Sequence, residues 1–370
     1  MAVNSTESAI DIPPGSGCVK VKIIDICSIC NIGTKSLFTP PVPGYDVIAS
    51  APSYIFLLEH PSGKKVLFDL GIRKDWENLH PVVAERLQSG THVVKVEKDI
   101  DEFLSEHEIN KKGINAVIWS HAHWDHMGNM SLFEFETDLV VGPGFKKQFL
   151  DNPNTSPLGA VIPSDIQGRN VHEIAFEPGD SRVVQIGQFP AFDYFQDGSL
   201  YLIDSPGHCV GHLCALARTS VNPSSFVFLG GDAAHHCGEL RPSRHVPLPY
   251  SISPNPLPTK QQNSQFSPNK WFETLQTSRG RDVTGPLYQP AFGHDMDQVL
   301  ATIAKMQTYD GDDSILVVLA HDAAFRDASV PKFPQAINDW KKLGLGEKFR
   351  WTWLGDVWHE SQEHASSCCS

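Results

Sequence analysis

Four side chains that can bind a divalent metal lie within six positions in the stretch VIWSHAHWDHMGN, residues 117–129. They are His121, His123, Asp125 and His126. Imidazole and carboxylate groups are ligands that suit zinc and similar divalent ions. Because neighbouring side chains diverge, Asp125 and His126 do not easily share one ion with His121 and His123. The spacing therefore points to two metal centres at the end of a strand.

Three further candidate ligands each follow an apolar, strand-like run. His208 lies in IDSPGHCVGH, Asp232 in VFLGGDAAHH and His321 in ILVVLAHD. A single histidine at the end of a strand is usually structural. Three ligand-type residues after three apolar runs are harder to attribute to packing, so we add them to the candidate site.

These motifs, in this order, resemble those of the metallo-β-lactamase-fold hydrolases over about residues 19–330. The resemblance implies an α/β fold, a four-layer αββα sandwich with a dinuclear metal site at one edge of the sheets. It also implies two divalent ions, expected to be zinc, each with three ligands of its own and one ligand in common. The first ion would be bound by His121, His123 and His208, the second by Asp125, His126 and His321, and both by Asp232.

Other residues near these motifs have assignments that come from the same resemblance. Asp69, at the end of VLFDLG, is expected to orient a ligand histidine, and His212 is expected to be structural. His235 stands where the lactonase branch has a tyrosine that helps to hold the substrate carbonyl. It is either a substitute donor or a residue without a role. Trp124 either lines the pocket or packs in the interior, and His245 and His294 are taken as ordinary residues.

The implied reaction is hydrolysis by a hydroxide held between the two ions, with Asp125 passing a proton to the leaving group. The segment SPGHCVGH…GGDAAH is most similar to the lactonase branch, which includes N-acyl homoserine lactonases, and to fungal enzymes that open benzoxazolinone. We therefore expect opening of a small lactone or lactam ring, from a xenobiotic or a secondary metabolite. One alternative is a glyoxalase-II-like thioesterase, although no glutathione-binding region is recognised. Another is a non-catalytic binding protein, although such proteins typically lose ligands.

Composition limits the partners. The chain has 370 residues and a formal net charge of −13, with no long run of Lys or Arg, which argues against a nucleic-acid partner. It has no apolar run of spanning length and no signal-peptide core at its N-terminus, so we expect no membrane contact and a cytoplasmic location. The partner expected is a small-molecule substrate, and a homodimer is left open.

Cys27 and Cys30 form a lone CxxC motif, which is not expected to be a zinc ribbon.

The chain is expected to form one hydrolase domain over residues 18–345, with a disordered tail at 1–17 and a C-terminal extension at 346–370. Residues 240–290 are rich in Pro, Ser and Asn and have no periodicity. We interpret them as an inserted loop that forms a wall or lid of the site, with a mobile linker as the alternative.

Strand and helix patterns complete the sequence-based expectations. One strand is predicted over 19–29, helices near 75–88 and 98–109, and a late helix in PKFPQAINDWKKLG, residues 331–344. A further helix begins in HDMDQVLATIAKM, where Asp295 is the expected cap.

Overall fold

Two six-stranded sheets form the centre of the computed structural model, which describes residues 10–90, 92–151, 161–252, 255–256 and 268–358. The strands in chain order are β1 (Lys20–Ile24), β2 (Cys27–Gly33), β3 (Phe38–Thr39), β4 (Val47–Pro52), β5 (Ile55–Glu59), β6 (Lys65–Phe68), β7 (Val93–Val96), β8 (Ala116–Ile118), β9 (Asp138–Val141), β10 (Val171–Glu173), β11 (Val183–Ile186), β12 (Phe189–Asp193), β13 (Leu200–Asp204), β14 (Leu213–Val221), β15 (Ser224–Leu229), β16 (Gln289–Pro290) and β17 (Ile315–Val318).

Helices cover the sheets and connect them. The α-helices are α1 (Pro81–Gln88), α2 (Ile100–Glu106), α3 (Trp124–Met127), α4 (Pro163–Ile166), α5 (Pro268–Ser278), α6 (Met296–Asp310), α7 (Leu345–Phe349) and α8 (Leu354–Val357). Single turns of 3-10 helix occur at Thr34–Ser36, Trp76–Asn78, Lys111–Gly113, Met130–Leu132, Cys237–Glu239 and Ala323–Arg326, and a π-helical turn at Lys146–Leu150. Within the described residues, none of these helices is long and apolar enough to cross a membrane.

The first sheet has the strand order β1-β5-β6-β8-β9-β10 and the second the order β11-β12-β13-β14-β15-β17. Pairs β6–β8, β8–β9, β9–β10 and β15–β17 are parallel, and the other pairs of these two sheets are antiparallel. A smaller sheet, β4-β2-β7, and a short ladder of β3 with β16 lie outside them.

Alternation along the strands produces four layers, since successive side chains of a strand face opposite sides of a sheet. In β5, Phe56 and Leu58 are buried in a core shared with inward-facing residues of the second sheet. Its outward residues Ile55 and Leu57 pack against α2. The outer face of the second sheet packs against α6 in the same way, through Ile303 and its neighbours. The predicted αββα sandwich is therefore confirmed.

The strand predicted over 19–29 is two strands in two different sheets. β1 pairs with β5 in the first sheet, whereas β2 pairs with β4 and β7 in the small sheet. Between them Asp25 turns outward and forms a double hydrogen bond with Arg326. A continuous apolar run does not reveal such a change of sheet, because each half has the strand period by itself.

The helix predicted over residues 331–344 is wrong. Pro334 is the fourth residue of this segment and has no N–H for a helical hydrogen bond. The chain instead follows the exposed edge of β1, where Ile337 N–H donates to the Val21 carbonyl at 2.8 Å and Asn338 Oδ1 accepts from Val21 N–H at 2.9 Å. Tertiary hydrogen bonds to an unpaired strand edge therefore override the apolar pattern.

The helix α6 begins as predicted, with the Asp295 carboxylate accepting from Gln298 N–H at 3.1 Å. Val299, Ile303 and Met306 are among its buried residues, whereas Leu300 is 37% exposed. The predicted helices at 75–88 and 98–109 are also present, in shorter form, as α1 and α2.

The predicted N-terminal boundary at residue 18 is wrong. Residues 10–17 are part of the packed structure, since Ile10 N–H donates to Asp312 at 3.0 Å and Arg218 donates to the Pro13 carbonyl at 2.6 Å. Residues 1–9, the rest of the predicted tail, lie outside the described part of the chain.

The C-terminal extension packs on the domain as far as it is described. Trp351, Trp353 and Trp358 are buried in the core outside the second sheet, so residue 345 is not a structural boundary. Residues 359–370 lie outside the described part.

The segment 240–290 is not a simple loop. It contains α5, whose Phe272 and Leu275 are buried in the same core as the C-terminal tryptophans. The amphipathic pattern of α5 begins at the end of the Pro-rich run, which masks it in the sequence. Residues 253–254 and 257–267 of the predicted insert lie outside the described part.

Candidate metal centre

The candidate ligands converge at one edge of the sandwich because the strands that precede them end there. His121 and His123 follow β8, and His123 directly precedes the single turn α3. The remaining ligands follow strands of the second sheet: His208 comes after β13, Asp232 after β15 and His321 after β17. Parallel pairing of β15 with β17 brings the last two to the same end of that sheet.

The first group comprises His121, His123, His208 and Asp232, whose ligand atoms lie within 4.8 Å of one another. His123 Nδ1 is 2.9 Å from His121 Nε2 and 3.0 Å from His208 Nε2. Asp232 Oδ2 lies 3.5 Å from His208 Nε2 and 3.8 Å from His121 Nε2. Three imidazole nitrogens and one carboxylate oxygen in such a cluster form a donor set typical of zinc.

The second group comprises Asp125, His126, His321 and the same Asp232. Asp232 Oδ1 lies 3.2 Å from His126 Nε2 and 3.0 Å from His321 Nε2. Asp125 Oδ2 is 3.7 Å and 3.6 Å from the same two nitrogens. Asp232 therefore presents Oδ2 to the first group and Oδ1 to the second, and all seven sequence candidates meet in one place.

The chemistry of these groups fits two divalent ions. His126 Nε2 and Asp232 Oδ1 are buried and have no hydrogen-bond partner with acceptable geometry among the described residues. Buried polar atoms without partners are rare in folded proteins, and a bound ion satisfies such atoms. Burial lowers the pKa of His123 to about 4 and holds the pKa of His121 and His208 well below its ordinary value. A lowered pKa favours the neutral ring, which keeps a lone pair for an ion.

His126 and Asp232 form the charged part of the site. Burial would lower the pKa of His126, but the carboxylates of Asp232, Asp125 and Asp69 raise it well above its ordinary value. Burial would raise the pKa of Asp232, but His126 and His321 lower it well below its ordinary value. Negative charge at this position attracts protons and metal ions alike, so the two compete for the same nitrogens.

Several hydrogen bonds orient the ligand rings from behind. The predicted partner Asp69 accepts from His126 Nδ1 at 2.9 Å and from Ser120 N–H at 2.6 Å. His321 Nδ1 donates to the Pro52 carbonyl at 2.6 Å, and Ser120 Oγ lies 3.0 Å from His121 Nδ1. In each of these three rings Nδ1 faces a hydrogen-bond partner outside the site. Its Nε2 therefore points into the site.

His212 is structural, in line with its expected role. Its Nε2 accepts from Asp232 N–H at 3.1 Å, and its Nδ1 faces the Ser205 carbonyl at 3.1 Å. Burial lowers the pKa of His212 to about 3, which keeps the ring neutral and able to accept. His212 thereby fixes the backbone of the shared carboxylate.

His235 lies beside the two groups without belonging to either. Its Nε2 is 3.5 Å from Asp232 Oδ2, and its ring is stacked parallel to that of His321 at 6.2 Å. Its backbone N–H donates to buried Glu239 at 2.6 Å. Trp124 both lines the cavity described next and packs in the small core around β2, so each expected role is met. His245 and His294 belong to neither ligand group.

A cavity of about 120 Å³ opens onto the second group and is lined on one side by apolar residues. Its lining includes parts of the chain that sequence reasoning did not select: Ile29, Ile32, Leu37, Arg86, His92 and Phe292. No described residue of the segment 240–290 lines it. The wall is instead built by β2, the turn after it, α1 and the residue before β7. Nothing local in the sequence marks these residues, because contact with the cavity depends on how the small sheet docks.

The geometry agrees with comparisons to known proteins. A model of the metallo-beta-lactamase superfamily matches residues 51–221. Gamma-lactamase FDB1 of Fusarium pseudograminearum is 40% identical over 357 residues, which cover 93% of this chain and 84% of that protein. The chain therefore belongs to the metallo-β-lactamase superfamily. The predicted membership of this family of metal-dependent hydrolases is confirmed.

Two further similarities are more limited in what they show. Cytochrome P450 monooxygenase mpaDE' of Penicillium brevicompactum is 40% identical over 357 residues, which cover 95% of this chain but 39% of that protein. The chain thus spans about two fifths of that relative. The crystal structure of a quorum-quenching N-acyl homoserine lactone lactonase has a TM-score of 0.54 and 16% identity, covering 87% of this chain and 100% of the other. This likeness shows the fold.

Proposed function

We propose that this chain hydrolyses a small lactone or lactam ring at two divalent metal ions, expected to be zinc. The observation that carries the proposal is the pair of ligand groups that share Asp232 beside an open cavity. A second support is the 40% identity to a protein named gamma-lactamase over nearly the whole chain. When bound, two such ions supply a water of lowered pKa and a positive field for a carbonyl oxygen.

The size and lining of the cavity favour a compact ring as the substrate. An apolar cavity of about 150 Å³ holds a benzene molecule, so a space of about 120 Å³ suits a small ring. Trp124 and Phe292 line this space together with the isoleucines of β2. A lactone, lactam or cyclic carbamate fused to an aromatic ring, such as benzoxazolinone, matches this lining.

The residues of the chain have separate roles in this proposal. The first ion would be held by His121, His123 and His208, the second by Asp125, His126 and His321, and Asp232 would be a ligand of both. Asp125 Oδ2 takes a proton from the attacking water and passes it to the ring oxygen or nitrogen as the carbon–heteroatom bond breaks. His235 donates its ring N–H to the substrate carbonyl, since Nε2 lies beside Asp232 Oδ2 at the cavity.

A hydrolysis panel with the zinc-loaded chain tests the substrate class. The panel contains benzoxazolinone, a γ-lactam, phthalide, homoserine lactones, a glutathione thioester and RNA. We expect ring opening of at least one lactone or lactam, and its loss after chelation. Activity on the thioester alone or on RNA alone would show that the substrate is not a lactone or lactam ring.

The variant His235→Phe tests the donor role. Removal of one donor to a developing oxyanion typically costs about 10²–10³ in kcat. We expect a fall of that order in kcat, whereas the metal content stays that of the unmodified chain. An unchanged kcat would leave His235 without a role in the reaction.

A further inference from the structure

Arg86 is a cation at the mouth of the cavity, and no carboxylate of the described residues forms an ion pair with it. It lies in the last turn of α1 and lines the same cavity as Asp125, Asp232 and His321. Within the described part of the chain, its side chain makes one hydrogen bond, from Nη2 to His92 Nε2 at 3.3 Å. Acidic proteins offer many carboxylates to an arginine, and this chain carries a net charge of −13.

His92 is the hydrogen-bond partner of the guanidinium at the cavity. The ring is half-buried, which lowers the pKa of His92, and the neighbouring charge of Arg86 lowers it further. A neutral imidazole accepts at Nε2, so it binds the Arg86 N–H instead of repelling it. His92 and Asp125 line the same cavity, which places this pair beside the candidate metal centre.

The guanidinium of Arg86 is open to a molecule bound in the cavity. Ile29, Ile32 and Leu37 line the same cavity with apolar side chains, and Arg86 itself is exposed. A guanidinium offers a planar fork of N–H donors that matches two oxygens of a carboxylate. Such a pair of donors beside a largely apolar wall can bind an anionic oxygen group.

We infer that Arg86 binds an anionic oxygen group, a carboxylate or a phenolate, carried by the substrate at a position away from the bond that is cleaved. The inference rests on the proposed function for the ring itself and adds a charged substituent to it. The substrate class becomes a small ring compound with its own acidic group, held between the metal centre and α1.

Equilibrium binding to the zinc-loaded chain tests this without turnover. The probes are benzoate, which has one carboxylate, and phthalate, isophthalate and terephthalate, which have a second one at different spacings. We expect at least one dicarboxylate to bind about tenfold more tightly than benzoate, a difference of about 1.4 kcal/mol. Arg86→Met should remove this preference. Lys95→Met, which removes an exposed cation from β7 away from the cavity, should retain it.

The outcomes separate this inference from the proposed function. If no dicarboxylate binds more tightly than benzoate, or if Arg86→Met keeps the preference, Arg86 is not an anion site. If the preference depends on Arg86 but no lactone or lactam is hydrolysed, the proposed function fails and the anion site stands. Where a ring with a carboxylate is hydrolysed, Arg86→Met should raise its KM and leave kcat close to that of the unmodified chain.

Discussion

The candidate metal centre depends on individual atoms of its side chains. Asp232 offers one oxygen to each ligand group, and no other described residue belongs to both groups. The rings of His126 and His321 are fixed through Nδ1, so the direction of each Nε2 is set by a neighbour and not by the ring alone. Changes of one atom or one charge should therefore be measurable as changes in metal binding.

Replacement of the shared ligand should remove metal. We expect Asp232→Ala to bind at most one ion, against about two in the unmodified chain, and to lose hydrolysis by at least about 100-fold. Elemental analysis of the purified protein measures the first effect. His294→Ala, which changes an exposed histidine outside both ligand groups, is the control. Two ions in Asp232→Ala would contradict the shared position.

Asp69 should act on the metal through His126. The change Asp69→Asn keeps the shape but weakens the acceptor of the His126 Nδ1 proton, and such changes typically cost about 10–100-fold in metal affinity. Competition with a chromophoric chelator measures the affinity. Asp204→Asn, at the end of β13 and outside both groups, should bind metal like the unmodified chain. Equal affinities for the two variants would rule out the role of Asp69.

Among the secondary-structure elements, the turn that carries His208 and the start of α6 approach each other closely. Asp295 N–H donates to the Gly207 carbonyl at 2.9 Å, and His294 N–H donates to the His208 carbonyl at 3.0 Å. Gly207 has a φ of +129° and no room for a Cβ, which would overlap the backbone of Val299. Helix α6 thereby sets the position of the candidate ligand His208.

The variant Gly207→Ala tests this contact. A Cβ would lie 2.7 Å from the Gln298 carbonyl carbon, so the turn has to move away from α6. We expect a loss of about 1–3 kcal/mol in the free energy of unfolding and a lower metal content, because His208 moves with the turn. Gly179→Ala is the matched control, since Gly179 also has a positive φ of +98° but no atom within 4 Å of the added Cβ. Equal effects of both variants would show that backbone strain alone, and not docking, is responsible.

The stability of the molecule as a whole is expected to depend on pH through buried carboxyl groups. Asp165 in α4 is 1% exposed, and burial raises its pKa to about 6, against the opposing effect of Arg73 at 3.9 Å. Its folded pKa is above the unfolded one, so the folded state binds the proton more tightly. The stabilisation that comes from this tighter proton binding is present below about pH 4, and it is lost as the pH rises through about 6.

Asp165→Asn should remove this part of the pH dependence. The amide stays neutral at every pH, so the variant should gain about 2 kcal/mol relative to the unmodified chain between about pH 4.5 and 7. Urea denaturation at both pH values measures the difference, and loss of metal at low pH affects both proteins. The control is Asp313→Asn, which replaces an exposed carboxylate and measures the effect of losing one surface charge. A difference that does not change with pH would refute the role of Asp165.

The seven candidate ligands could be proposed because their motifs are local or ordered along the chain, and the αββα fold was implied by the family that these motifs resemble. His121, His123, Asp125 and His126 lie in one short stretch, and the other three candidates each follow an apolar strand. Alternation of side chains in β5 and the cap of α6 at Asp295 are also local properties. The spacing of apolar residues and the residue type at a helix cap both follow from backbone geometry, and both can be read from a short stretch of sequence.

The surroundings of the site could not be predicted, because they depend on tertiary contacts. The run 19–29 divides between two sheets, residues 331–344 follow the edge of β1 instead of forming a helix, and residues 10–17 pack on the domain. The cavity wall comes from β2, α1 and the residue before β7, and the described part of 240–290 lies elsewhere. These features bring together residues distant in sequence, such as Arg86 and the candidate metal ligands that line one cavity, and such proximity leaves no periodic pattern in the chain itself.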